Sequence, residues 1–574
     1  MSSSSWIPLF ACMALFVGCA ATAAAVGART RPPAGWPAWI PAGMERVTGI
    51  PGWAAAMVGT ALLGLLVAGI GFYEDVAWHV GLGRDEELFT PPHTMIVVGL
   101  GMIAVSAGLA VLFATVTRAP VRLRIAGLRV PWSAVPMGLL GLTALGGFPL
   151  DELWHQRYGI DVTMWSPTHM LMILGASFSP IAAWMALAEA GVRPTDSRWA
   201  RGTHVLAAWL VLAGLSSAQG EFEFGVPQFQ QLYHPVLVLI AAGVALTAAR
   251  IVLGPGWVLF VGTASLLLRF DGAASDIDVT TRPAGLYIGA AVAVELAALL
   301  VGTAKRRRFA VASAVGVATL GLGVEWAWNA GAHQRWTTAL LPDALIVGGI
   351  AALGAAVIGV ALGAAVRGER PGLGPVVLVA GSLAVVATLA IPFPRRTGDV
   401  EAAVRIERVG GGEALVHVDL TPADAARDAR WFQTIAWQGG GFTSADMEEV
   451  APGRYVTEEP VPIEGAWKTM VRLHRGAEMM SVPVWLPADP EIGEPEIPAV
   501  DRTVPFADET ALLMRESRSG PAGFAVGVLA LLGVVAAAWI AAFVLVGRAL
   551  GRRSDGLELA AHEAGAAERP LQLA

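Results

Sequence analysis

Residues 52–115 read GWAAAMVGTALLGLLVAGIGFYEDVAWHVGLGRDEELFTPPHTMIVVGLGMIAVSAGLAVLFAT. Two apolar runs, 52–72 and 93–115, flank a loop crowded with acidic, aromatic and histidine side chains. As a helix, each run covers the roughly 30 Å hydrocarbon core of a bilayer. The unit of helix, loop and helix is the key to the rest of the chain.

Outward from it, further apolar runs occupy 6–26, 131–150, 167–189, 203–219, 234–252, 256–269, 284–303, 309–327, 340–366, 375–392 and 521–547, with 256–269 the shortest. The expected fold is an all-α polytopic membrane bundle of about 13 transmembrane helices built from repeated hairpins. Composition agrees: 55% of the 574 residues are hydrophobic and only 15% charged, with a mean hydropathy of +0.59, which no soluble domain shows. A net charge of -7 provides no basic field and excludes nucleic acid as a partner. The only cysteines, Cys12 and Cys19, both lie in the first run, so neither a disulfide framework nor a CxxC metal knuckle is available.

Cytoplasmic loops retain Lys and Arg. Clusters at Arg29, Arg31 and Arg46, at Arg118 to Arg129, at Arg193 to Arg201, at Arg250, at Lys305 to Arg308, at Arg367 and Arg370, and at Arg548 to Arg553 fall on alternate junctions. The intervening junctions, 74–90, 151–168, 221–233, 271–281, 326–336 and 393–521, are acidic and aromatic. This predicts a multi-pass protein of the cell membrane with its N-terminus outside and its C-terminus in the cytoplasm.

The loop at 75–93, DVAWHVGLGRDEELFTPPH, returns without a gap at 151–169 as DELWHQRYGIDVTMWSPTH. Both fit D-x-x-W-H-x-x-x-G-x-D-x-x-x-[FW]-[ST]-P-x-H, and a glycine follows each final histidine at Gly99 and Gly175. Later loops keep traces: Glu221 and Glu223 before His234-Pro235, and Glu325-Trp326 before His333. Duplicated structural hairpins explain the Pro at each helix start and the interfacial aromatics. They do not explain a repeated Asp and two His.

Asp75 and His79 stand four apart on one helix face, as do Asp151 and His155. His93 and His169 open the return helices, so closing each hairpin assembles a 2-His-1-carboxylate set, which suits Cu, Fe or Zn and leaves coordination positions open. The expected ligands are Asp75, His79 and His93 and, separately, Asp151, His155 and His169. Asp85, Asp161, Glu221 and His234 are additional candidates, Asp85 and Asp161 as partners that orient an imidazole. Eight of ten His residues fall on the outer side, and Met164, Met170 and Met172 flank the second motif, which favours copper, with iron and zinc as alternatives.

An Asp-x-x-x-His pair ending one helix, with a second His opening the next, resembles the copper-site motif in the C subunit of particulate methane and ammonia monooxygenases. The resemblance covers only these loops and implies the same two triads as ligands. Thirteen residues separate the paired histidines, one more than in that family. No likeness extends to the accompanying subunits, so oxygenase activity is not implied.

Between 393 and 500 the pattern changes to short alternating strands at 402–409, 414–420, 431–437, 453–457, 466–473 and 479–486, separated by glycine turns. An extracytoplasmic immunoglobulin-like β-sandwich is expected there. APGRY at 451–455 and PIEGAW at 462–467 resemble the ending of YtkA-like, FixH-like and copper-resistance C type periplasmic sandwiches. That resemblance implies extracytoplasmic copper-handling or oxidase partner proteins. A linker at 501–520, a last span at 521–547 and a disordered cytoplasmic tail at 548–574 complete the layout, after an N-terminal span and loop at 1–50 and a helix domain at 51–392.

Three functions follow from these residues: a membrane metal-binding protein in copper acquisition, delivery or metal-dependent oxidation; a transporter of a cation or small molecule; or a scaffold subunit of a membrane complex. A transporter calls for ionisable residues deep in the spans, where Glu295 and Asp343 are the clearest. No nucleophile elbow, P-loop or HExxH pattern is present, and an enzymatic role stays open.

Overall fold

The computed structural model describes residues 38–84, 89–159, 163–268, 278–279 and 285–567, together with individual positions between 11 and 25 and side chains as far as Gly551. Most of the run at 6–26, the loop carboxylates Asp85 and Asp161, and the side chains of the tail lie outside the described residues.

After a short helix at Trp39–Thr48, the chain forms α1 (Gly52–Gly81), α2 (Pro91–Val116), α3 (Ala134–Tyr158), α4 (Pro167–Glu189), α5 (Arg198–Ser216), α6 (Tyr233–Leu253), α7 (Trp257–Ala264) and α8 (Ile288–Val301). Then come α9 (Arg306–Asn329, with a π turn at Val317–Gly321), α10 (Leu341–Val366), α11 (Pro375–Ala390) and, after the sheet domain, α12 (Ala522–Ala567). Among the described residues nine of these are long and apolar enough to cross a membrane, fewer than the expected thirteen. One of the four others, 6–26, lies mostly outside the described residues, and the remaining three form shorter helices for local reasons. Gly254 and Gly256, both at positive φ around Pro255, end α6 and start an α7 of only 8 residues. Gly302 at φ +76 stops α8 after 14 residues, and α11 has 16. The last helix runs on to Ala567, past the boundary at 547 and into the segment expected to be a disordered tail.

Small residues set the helix spacing, because in lipid close backbone approach replaces the hydrophobic drive between helices. A side chain at Gly71 would meet Pro92, Met95 and Ile96 of α2, and one at Gly99 would meet Gly64 and Ala68 of α1. Seventy-six positions later the same contacts recur: Gly147 lies against Thr168, Leu171 and Met172, and Gly175 against Leu140 and Ala144. The repeat seen in the loops therefore extends into the packing of both hairpins. The opposite, arginine-rich ends are tied as well: Glu189 accepts Trp132 N (2.7 Å) and Ser133 N (2.8 Å) at the start of α3.

The second domain is one antiparallel sheet. Its strands are β1 (Glu401–Gly410), β2 (Glu413–Thr421), β3 (Trp431–Trp437), β4 (Phe442–Ala451), β5 (Arg454–Thr457), β6 (Val461–Pro462), β7 (Lys468–Arg475), β8 (Glu478–Trp485), β9 (Arg502–Pro505) and β10 (Ala507–Asp508). They pair in the order β9-β1-β2-β5-β4-β3-β7-β8-β10, with β6 on β2. The path coils so that Val404, Val416 and Val418 of one half share a core with Val471, Leu473 and Val482 of the other. All six expected strands are present. The acidic β4 escapes the alternation rule, and β9 and β10 come from the segment beyond 500 expected to be a linker.

β3 is buried along its whole length because its two faces meet different partners. Phe432 faces the sheet core, while Ile435 and Trp437 join Met470 and Leu513 against Val226, and Trp431 meets Phe222. That second face carries charge. Arg472 and His474 of β7 both hold Glu509, at 2.9 and 2.6 Å, and Arg472 also donates to the Pro227 carbonyl of the helix domain. Burial alone would push the Glu509 carboxyl up, but Arg472 and His474 outweigh it and hold Glu509 at about 2. Burial drives His474 down to about 4 against the pull of Glu509, so at neutral pH it is an uncharged donor.

Candidate metal centres

Helix capping places the return histidines. Thr90 and Ser166 are the N-caps of α2 and α4, accepting the backbone N–H of His93 (3.4 Å) and His169 (3.1 Å), with Pro91 and Pro167 at the first helical position. The glycine contacts draw each return helix against its partner, so the imidazoles arrive beside the carboxylate at the end of α1 or α3.

In the first hairpin Asp75 Oδ1 lies 2.9 Å from His93 Nε2 and 3.7 Å from His79 Nε2. In the second, Asp151 Oδ2 lies 3.0 Å from His169 Nε2 and 3.1 Å from His155 Nε2. Within each triad one ligand atom per residue falls within 4.8 Å of the others, and these are the two such groups among the described residues. Ligand atoms about 2.0–2.1 Å from a tetrahedral ion stand about 3.4 Å apart, so small adjustments would let either set close on a metal. All six side chains are partly exposed except Asp151, which is buried, so a bound ion would keep positions open to solvent.

The hydrogen bonds of the other ring nitrogens define the chemistry. His169 Nδ1 donates to the Thr163 carbonyl (2.9 Å), and His79 Nδ1 to the Gly83 carbonyl (3.0 Å). A neutral imidazole bonded in this way has its lone pair on Nε2. At His169 that Nε2 lies 3.0 Å from a carboxylate oxygen, so two acceptors confront each other and a metal ion or a shared proton must sit between them, whereas at His79 the oxygen is 3.7 Å away. The carbonyl bond is also the usual device that orients a metal-binding histidine.

The second site has an extra support. Thr168 Oγ1 donates to Asp151 Oδ1 at 2.6 Å, fixing the carboxylate and leaving Oδ2 to the imidazoles. Thr168 occupies the variable position of the motif, and its counterpart in the first hairpin is Pro92. The sites adjoin: Phe148 of α3 packs edge-on against His93 (5.9 Å between centroids).

Glu221 and His234 join neither triad. Glu221 accepts Gln228 N (2.9 Å), while His234 stacks on Phe222 (4.6 Å) and accepts the Trp336 indole N–H (3.1 Å). The degenerate later loops have become structural: Glu325 accepts Leu286 N and Tyr287 N (2.8 and 2.6 Å), and His333 packs on Phe442 of the sheet (5.0 Å). His417 pairs with Glu407 at 2.7 Å. Met172 fills the space beside Gly147, and Met164 lies near Gly220.

The sheet domain grips both hairpins just beyond the ligands, which the sequence reading missed. Gln438, at φ +64, donates its N–H to Val80 O (3.0 Å) and its amide to His79 O (3.2 Å), and Gly440 N donates to Gly81 O (3.0 Å). The last carbonyls of α1, which have no partner within the helix, are thereby satisfied. At the matching end of α3, Gly159 lies against the Glu516 backbone, Arg518 N donates to Tyr158 O (2.6 Å), and Tyr158 Oη donates to Pro521 O (2.7 Å). Extending the repeat upstream would have found Gly71 and Gly147, but no local signal marks Gln438.

Compared with protein-family models, curated proteins and solved structures, the chain matches none.

Proposed function

We propose that this chain is a multi-pass membrane protein that binds two transition-metal ions, copper first with iron and zinc as alternatives, at the Asp/His/His sites of its first two hairpins. It would serve copper acquisition or delivery, or a metal-dependent oxidation. The observation carrying this reading is the second triad, where a histidine with its Nδ1 committed to a carbonyl presents Nε2 to a carboxylate oxygen at 3.0 Å. Two imidazoles and one carboxylate suit copper, iron or zinc. The motif likeness and the outer domain's resemblance to copper-handling sandwiches favour copper. On the same reading the arginine-poor side carrying the sites is extracytoplasmic, partner proteins that give or take copper meet the outer domain there, and the strands form an immunoglobulin-like sandwich. When bound, the metal would supply Lewis-acid or redox chemistry, while Thr168, Gly83 and Thr163 orient its ligands.

The transporter reading draws less support. Glu295 pairs with Arg250 at 2.9 Å, and Asp343 pairs with Arg430 of the sheet domain, so both ionisable groups are engaged in ties between elements.

Elemental mass spectrometry of the detergent-purified protein tests the proposal. Two equivalents of metal per chain are expected, one for each triad, and none in the His93→Ala/His169→Ala variant. Absence of metal from the unaltered protein after reconstitution with copper, iron and zinc would leave imidazolium–carboxylate pairs as the explanation and overturn it.

A further inference from the structure

On the opposite, arginine-rich side of the helix domain, a cavity of about 460 Å³ opens between α5 and α7. Arg198 and Arg201 stand among its lining residues, and Leu206, Trp209, Trp257 and Phe260 form apolar wall. Arg198 is the first residue of α5, where the positive end of the helix dipole adds to its charge. The Arg201 guanidinium rests 5.8 Å from the centre of the Trp257 ring, which in turn packs edge-on to Phe260 at 6.3 Å. Among the described residues no carboxylate lines the cavity. Phe260 is 55% exposed and the neighbouring Trp199 49%, an aromatic surface suited to the membrane interface. The Trp209 indole N–H has no acceptor among the described residues.

We propose that this cavity binds an anionic phospholipid, its phosphate held between Arg198 and Arg201 and an acyl chain lying along Leu206, Trp209 and Phe260. Two guanidinium forks recognise phosphate oxygens through charge-assisted, paired hydrogen bonds. Basic pockets between spanning helices on the arginine-rich side are sites for such headgroups. A free phosphate would leave the apolar wall uncovered, and a lipid with no net charge would leave the cationic mouth unbalanced. The inference is independent of the metal sites.

Native mass spectrometry of the full chain, released from nanodiscs of mixed phosphatidylglycerol and phosphatidylcholine, tests it. The protein should retain phosphatidylglycerol preferentially, and Arg198→Gln/Arg201→Gln should cut that preference about thirtyfold. Phe260→Ala should shorten retention of both lipids, and Arg198→Lys/Arg201→Lys should keep most of the preference, which separates charge recognition from misfolding. Equal retention of the two lipids by the unaltered protein, or an unchanged preference in the glutamine variant, would overturn the proposal. Displacement of the lipid by millimolar inorganic phosphate would also overturn it, reducing the site to one for a simple anion.

Discussion

The first two hairpins carry the same nineteen-residue motif and the same glycine contacts, yet their triads differ in tightness. Asp151 has 11% of its side chain exposed and takes both imidazoles on one oxygen at 3.0–3.1 Å. Asp75 has 18% exposed and holds one imidazole at 2.9 Å and the other at 3.7 Å. The difference traces to one variable position. Thr168 hydrogen-bonds the far oxygen of Asp151, whereas Pro92 has no hydroxyl to offer Asp75. Among the described residues, a carbonyl orients the helix-ending histidine His79 in the first site and the helix-opening His169 in the second. Duplication thus preserved the ligands while the groups that position them diverged. On the metal-binding reading, the second site is the tighter one and the first the more open to exchange.

The largest effect should come from removing a carboxylate. Asp151→Asn should lower the metal content from two equivalents to one and weaken the second site about a hundredfold or more. Elemental analysis with a competing chelator reads both, and simultaneous loss of both metals would show one dinuclear centre in place of two sites. Next, Thr168→Val should weaken the second site about tenfold to a hundredfold, to the level of the first, with little change there. Unequal affinities that survive this substitution would break the assignment of the difference to Thr168.

Acidification should act on both hairpins together, because the sheet domain grips both. The folded-state pKa of His474, about 4, lies below its ordinary 6.5, so its contribution is fully present above pH 6.5 and is lost as pH falls toward 4. At pH 5 the loss is about 2 kcal/mol. Hydrogen exchange of 431–437 should accelerate about thirtyfold between pH 7 and 5, after correction for the intrinsic rate. His474→Gln should flatten that response. Glu509, held at about 2, gives the same sign at lower pH, its contribution fading below the ordinary carboxyl range.

The smallest expected effect is the most selective. Gln438→Ala removes the amide bond to His79 O and should loosen the first site about fivefold, roughly 1 kcal/mol. The second site, gripped through Tyr158 and Arg518, should keep its affinity. Spectra of the copper-loaded protein would separate the two sites, and an equal response of both would argue against two independent clamps.

Composition and pattern alone determined the membrane class, the position of the hairpins, the separate strand domain and the pairing of Asp with two His, because hydropathy, repeat spacing and helix-start chemistry are local properties of the chain. They did not give the helix lengths, since an apolar run does not reveal where Gly254 and Gly256 break a helix or Gly302 ends one. They also placed a linker where β9 and β10 complete the sheet, for edge strands of four and two residues carry too few positions to show alternation.

Only the tertiary structure decided which copies of the loop assemble a triad and which became mere docking contacts. Glu221, His234, Glu325 and His333 have the right chemistry, but other elements claim their polar atoms or rings. It likewise revealed Thr168 on Asp151, and the sheet domain closing on the ends of α1 and α3 through residues some 360 positions away in sequence. The physical reason is the same in each case. A ligand set is specified by spacing within a hairpin, whereas orientation depends on hydrogen-bond partners brought together only by the packing of distant segments.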